Sequence, residues 1–218
     1  MSEAQRVQEE RQRRIAELEA RLARRSRGAI RPPMALAAIA VSVALLWMQR
    51  RELAYLVSPR TPLSLGAEGE YRLEALSSNR YAQVHGVPAS HGAYERDGEA
   101  LHVLVGLRES PFVVRRPALP GEEWIPGRPP PPPDPRPFAV RGRLLAEEEA
   151  PRYQEAFAVL RQKGELQPLD GRLWIVIEGQ RPGEDWGRAG VAVLLGAFAA
   201  ANGVLLVRSL RRPRSPAG

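Results

Sequence analysis

The chain has 218 residues, room for one ordinary domain plus accessories, and its formal net charge of +7 is carried almost wholly by arginine, since Lys163 is the only lysine. The absence of cysteine excludes disulfides and thiolate metal sites. It does not exclude an oxidising compartment, because a domain with enough core needs no staples. The skew towards Arg, Ala and Pro reads as the mark of a GC-rich genome and is discounted as a sign of arginine chemistry.

Residues 1–31 are dense in helix formers and close towards Gly28, a suitable helix C-cap. Val7, Ile15, Leu18 and Leu22 follow a heptad-like seam that Arg11 interrupts, too short for a coiled coil. This segment is predicted as a charged cytoplasmic helix resting its basic end on anionic lipid, with weak dimerisation or partner docking as the alternative. Residues 32–49, PPMALAAIAVSVALLWMQ, form an uncharged run of about 18 residues, near the lower limit for crossing roughly 30 Å of hydrocarbon. Trp47 suits an interfacial anchor, and RELAYLV extends the predicted transmembrane span to 32–57, with Arg50 and Arg51 snorkelling.

Residues 58–187 make one domain. Alternating apolar runs predict strands at 80–87 (RYAQVHGV), 100–107 (ALHVLVGL), 111–116 (PFVVRR), 137–145 (PFAVRGRLL) and 173–179 (LWIVIEG). A helix is predicted within 150–164, where Pro151 fits the first turn, Tyr153, Ala156, Phe157 and Leu160 share a face, and Gly164 ends it. The preceding Glu147, Glu148 and Glu149 read as a helix N-terminus favoured by the macrodipole. Between strands lies a proline-rich stretch, residues 120–137, which cannot enter a sheet interior and reads as a stiff extended connector. Its sharper reading is a docking ligand for an aromatic-lined groove, with Pro130, Pro131 and the adjacent Trp124 as partner-binding candidates.

A short phrase occurs twice: YAQVHG at 81–86 and FAVRG at 138–142. Each is followed by an Asp-Gly turn and a β-branched strand, DGEALHVLVGLR at 97–108 and DGRLWIVIEGQR at 170–181. Read as a duplication, each half is a strand, a connection and a strand, and the halves pair into one small antiparallel sheet or barrel.

Residues 189–207, AGVAVLLGAFAAANGVLLV, form the second uncharged run, and a transmembrane span is predicted at 188–208 with a basic tail at 209–218. Asn202, its only strongly polar side chain, is a candidate for a hydrogen bond across a helix interface. Arginines cluster before the first run and after the second, which places both termini in the cytoplasm and the domain outside, periplasmic in a bacterial inner membrane. A cleaved signal peptide does not fit, because the region before the first apolar run is too long and no small-residue cleavage site follows.

Little catalytic chemistry is legible. His85, His91 and His102 lack metal-ligand spacing, and no phosphate loop, nucleophile elbow or S-x-x-K arrangement occurs. Glu178, Glu184 and Asp185 have no evident catalytic partner, no cofactor is implied, and the scattered basic residues lack the aromatic interleaving of a nucleic-acid surface.

Two spans flanking a β-rich domain, with strands ending VHG at 84–86 and VRG at 140–142, resemble the architecture of Surfeit-type cytochrome oxidase assembly factors. The Asn-Arg-Gly-Trp strand end of that family is missing, IVIEGQRP standing in its place, and no residue role is carried over. The expectation is therefore an α+β membrane protein, two transmembrane helices flanking a β-rich extracytoplasmic domain. It would act as a non-catalytic scaffold or assembly protein that binds an envelope partner through Trp124, Pro130, Pro131 and Asn202. The competing expectation is a membrane-anchored enzyme or small-ligand binder using a pocket between the halves, and convergence of His85, His102 and a carboxylate there would favour the enzyme.

Overall fold

The computed structural model describes residues 32–211 apart from Pro126, together with Arg14, Ala16 and Glu17. The remainder of the helix expected at 1–31, including its apolar seam, and the tail beyond Arg211 lie outside the described residues. The chain divides into two units, residues 1–49 with 190–218, and residues 50–189.

Two long helices carry the apolar runs. Helix α1, Pro32–Leu56, has 25 residues, and both it and the C-terminal helix are apolar around their whole circumference rather than along one stripe. Each is long and apolar enough to cross a membrane, over Pro33–Leu56 and Trp186–Arg208. Two polar side chains inside these runs bond within their own helix. Ser42 Oγ donates to Ala38 O at 2.8 Å, and Asn202 Nδ2 donates to Phe198 O at 2.8 Å. One amide hydrogen of Asn202 is thus used within its own helix.

The unit at 50–189 is built on a seven-stranded sheet: β1 Leu63–Ser64, β2 Arg80–Gly86, β3 Pro88–Asp97, β4 Ala100–Leu107, β5 Phe112–Pro117, β6 Phe138–Ala146 and β7 Trp174–Glu178. The order across the sheet is β1-β2-β6-β7-β5-β4-β3. It is open and mixed, not the antiparallel sheet or barrel expected, because β1 pairs with β2 and β5 with β7 in parallel. A parallel neighbour needs a long crossover, and the chain from β5 to β7 supplies one by way of β6 and a helix.

That helix, α2, spans Gln154–Gln162 after two 3₁₀ turns and ends before Gly164, whose φ of 71° only glycine adopts freely. Tyr153, Phe157 and Leu160 pack onto Leu104, Val113, Leu145, Ile175 and Ile177. The opposite face buries Val84, Leu107, Phe112, Val114, Val140 and Val176 beneath Tyr71, Leu73 and Leu76. Strands covered on both sides read as continuous apolar runs, which is why PFVVRR and LWIVIEG stood out in the sequence. The C-terminal helix, α3, is Trp186–Arg211.

Two further features differ from expectation. Strand β3 was not predicted: at the sheet edge it alternates no apolar residues, carries Glu95, Arg96 and Asp97, and has a bulge between Pro88 and Gly92. Glu147 opens a 3₁₀ turn, Glu147–Glu149, as expected of a helical start, but its carboxylate does more than face a helix dipole. It is buried and takes both Nη groups of Arg161, at 2.8 and 2.5 Å, and the Leu173 amide at 3.0 Å.

The repeated phrases are β2 and β6, and they lie side by side with Val84 opposite Val140 and Ala82 opposite Gly142. The halves are not laid out equivalently, since β6 pairs with β7 whereas β7 and β5 stand among the strands separating β2 from β4. The two glycines answer to different constraints. A Cβ at Gly86 would stand 2.7 Å from Tyr71 Oη, and one at Gly142 would stand 2.0 Å from the Ile177 carbonyl oxygen. We predict that Gly142→Ala costs at least about 2–3 kcal/mol, because the obstruction is neighbouring backbone rather than a movable side chain. Thermal unfolding of the detergent-solubilised chain measures this, and an unchanged midpoint would contradict the packing described.

Candidate functional site

The connector between β5 and β6 is held down at both ends by one buried ion pair. Arg116, on β5, places Nη1 and Nη2 at 2.6 Å from the two carboxylate oxygens of Glu122. Glu122 also accepts the amide of Leu119 at 2.8 Å and that of Asp134 at 2.7 Å. Burial by itself pushes this carboxyl up, but the Arg116 bonds and the two amides outweigh it and hold Glu122 below its ordinary value. Asp134 is drawn down to about 2 by the Arg136 side chain wrapped on it.

Between these clamps the prolines lie against β3. Tyr94 Oη donates to Pro131 O at 2.6 Å, and Pro133 is buried. The Tyr94 and Trp124 rings are 6.3 Å apart, and Trp124 Nε1 donates to Arg128 O at 3.0 Å. Trp124 and Pro131 are half-buried and Pro130 is exposed. The fold thus brings Trp124, Pro130 and Pro131 together, while Asn202 lies in the other unit.

A groove of about 370 Å³ opens here, walled by Trp124 and Pro130 on one side and by Tyr153, Ala156 and Val159 of α2 on the other. Its margin includes Glu95 and Arg152, part of a cross-strand network: Arg115 reaches Glu95 at 2.8 Å and Asp97 at 3.4 Å, and Arg152 reaches the same two at 2.5 and 3.2 Å. Burial pushes the Tyr94 and Tyr153 hydroxyls up, so both are neutral donors near pH 7. Val159 on the groove wall is 44% exposed, and Ile125, next to Trp124 in the chain, is 54% exposed.

The histidines do not converge. His85 on β2 sits 2.6 Å from Gln83, whose oxygen accepts Arg141 Nε at 2.7 Å. His91 Nδ1 lies 2.7 Å from Glu165, whose other oxygen accepts the Ser90 amide at 2.6 Å. His102 on β4 faces Glu95 across the β3–β4 pair with Nδ1 buried and without a hydrogen bond; burial and then the Arg115 charge lower its pKa. β2 and β4 are four strand spacings apart, each about 4.8 Å, so His85 and His102 share no pocket. Among the described residues no three His, Asp or Glu side chains gather as metal ligands. Glu178 ends β7 with its carboxyl pushed up by desolvation, and Asp185 pairs with Arg188 at 2.8 Å.

Sequence reasoning missed a second polar cluster, centred on Arg143 of β6. This buried guanidinium donates to Asn79 Oδ1 at 2.9 Å, meets Glu52 at 2.7 Å and lies 4.6 Å from the Tyr55 ring centre. Arg188 reaches the same Glu52 oxygen at 2.6 Å, and Tyr55 Oη donates to Gln180 O at 2.8 Å. The available signal was Glu52, the only acidic residue in 32–57. An acid at the end of an apolar run calls for a fixed cation.

Glu122→Ala would leave the Arg116 guanidinium buried without its carboxylate, and we predict a loss of about 3–5 kcal/mol. The pair also sets a pH dependence. Because the folded pKa of Glu122 lies below the unfolded one, its contribution is complete above the ordinary carboxylate range, near 4.3, and disappears as pH falls through the lower folded value. Unfolding followed by tryptophan fluorescence between pH 7 and pH 3 should show that acid loss in the native chain and a smaller one in Glu122→Ala.

The chain matches no protein-family model, and comparisons with curated proteins and with solved structures return no match, so the likeness to Surfeit-type factors rests on its layout and the two strand phrases.

Proposed function

We propose that this chain is a two-span membrane protein of the bacterial inner membrane. Its sheet domain, on the periplasmic side, acts as a non-catalytic scaffold or assembly module by binding a protein partner at the Trp124 groove. Membrane insertion is supported by the two helices. Only 11% and 6% of their most apolar stretches are buried, whereas a core helix of a soluble protein is mostly buried. The orientation follows from the arginines flanking the two runs.

The observation that carries the binding role is the groove itself. Trp124, Ile125 and Val159 expose apolar surface on a connector and a helix that are each fastened by a carboxylate–arginine pair. An aromatic anchor beside small and branched apolar walls, rimmed by charge, is what a protein interface requires. The alternative, a membrane-anchored enzyme or small-ligand binder with a pocket between the halves, would gain from His85 and His102 sharing a cleft, and the strand order keeps those two apart.

The lack of cysteine permits a clean topology test. In intact cells an impermeant maleimide should label Arg128→Cys from outside and leave Ser215→Cys untouched; the reverse pattern would overturn the orientation. For the groove, a photo-crosslinking residue at position 125 should capture one discrete partner. Trp124→Ala should weaken that capture roughly 10-fold or more, as loss of an interface anchor does. Undiminished capture by Trp124→Ala would remove the groove from the function.

A further inference from the structure

A second cleft, of about 460 Å³, has a different chemistry. It is lined by Arg60, Tyr81, Arg141, Arg181, Gly183 and Glu184 among others. All three arginines are exposed, and Glu184 is the sole carboxylate among the lining residues. That carboxylate offsets little: Arg181 Nε stands 4.0 Å from it, at the limit of an ion pair. Arg141 spends only its Nε, on the neutral Gln83 oxygen. Arg60 meets no carboxylate among the described residues and lies over Gly183, where a Cβ would stand 2.9 Å from its Nη2. The glycine makes room for the guanidinium. The neighbouring Arg143 and Arg188 differ, both being committed to Glu52.

We infer that this cleft binds the phosphodiester of an anionic phospholipid headgroup. Three guanidinium groups with free planar donors match the oxygens of a phosphate, and weak hydration of guanidinium lowers the cost of forming the contact. The chain itself indicates the source of the phosphate. Arg60 follows Leu56, the end of the first candidate span, by four positions, and Arg181 precedes Trp186, the start of the second, by five. Each is therefore tethered within about 18 Å of a span end. Such a tether keeps the cleft where headgroup phosphate is concentrated, so weak intrinsic affinity suffices. Trp186, 69% exposed at the head of α3, suits the same interfacial depth.

This inference rests on the two-span reading, and the two are separable by experiment. If alkaline carbonate releases the chain from membranes, the spans are wrong. The cleft is tested on the full chain in uncharged detergent by titration with three soluble probes: dihexanoyl phosphatidylglycerol, dihexanoyl phosphatidylcholine and inorganic phosphate. Phosphatidylglycerol should bind at one site, weaken at least 10-fold in the triple variant Arg60→Gln, Arg141→Gln, Arg181→Gln, and weaken as salt rises. Phosphatidylcholine and inorganic phosphate should bind far less well. Equal binding of phosphatidylglycerol by the triple variant, or of phosphatidylcholine by the native chain, overturns the inference. Tighter binding of inorganic phosphate overturns the lipid assignment in favour of a free anion. The three side chains are exposed, so the unfolding midpoint should hold; if it does not, Arg141→Gln alone must still weaken phosphatidylglycerol binding several-fold.

Discussion

The segments that are not strands are fastened to the sheet domain by carboxylates set against arginines. Glu52 brings the end of α1 to Arg143 on β6, Glu122 brings the connector to Arg116 on β5, and Glu147 ties the end of α2 to the strand entry at Leu173 through Arg161. The constraint is severe because these charges are wholly or partly withdrawn from water, where an unpaired one costs several kcal/mol. Each carboxylate therefore takes several partners at once. Glu122 accepts two guanidinium donors and two backbone amides, which satisfies both oxygens. A connector held this way keeps its prolines in one path.

The groove and the basic cleft follow from these attachments. Trp124 and Pro130 form a wall because the connector is anchored on either side of them, and Val159 faces them because α2 is pinned by Arg161 and packed through Phe157. At the other end of the strand order, β2 and β6 carry Tyr81 and Arg141, and Arg143 draws Glu52 and Arg188 into a local cluster of its own. With Arg143 and Arg188 committed to Glu52, the arginines lining the cleft, Arg60, Arg141 and Arg181, keep uncommitted donors. One end of the sheet thus presents apolar surface and the other presents cations.

Five of the seven strands were legible, within a residue or two at their ends, because alternation or an unbroken β-branched run marks a strand that buries one face or both. The missed ones lacked that signal for physical reasons. β3 is a charged, bulged edge strand, and β1 is two residues long, created by pairing with β2. The parallel pairings were equally hidden, since register across a crossover depends on which neighbour wins and not on any local pattern. The partner of Glu147 was hidden for a related reason. A run of acids before a proline suggests a helix cap, but here the carboxylate points inwards to a cation 14 residues away.

What the amino-acid order decided unaided was local: two uncharged stretches of membrane-spanning length, strand periodicity, turn glycines, and a proline tract that no sheet interior can accept. Each depends on neighbours within a few positions, so reading the chain in order suffices. The sites were decided elsewhere. Trp124 and Val159 share one cleft, and Arg60 and Arg141 another, only because the fold brings together segments remote in the chain. Arginine, abundant throughout, gains meaning only once the fold has determined which copies a carboxylate neutralises.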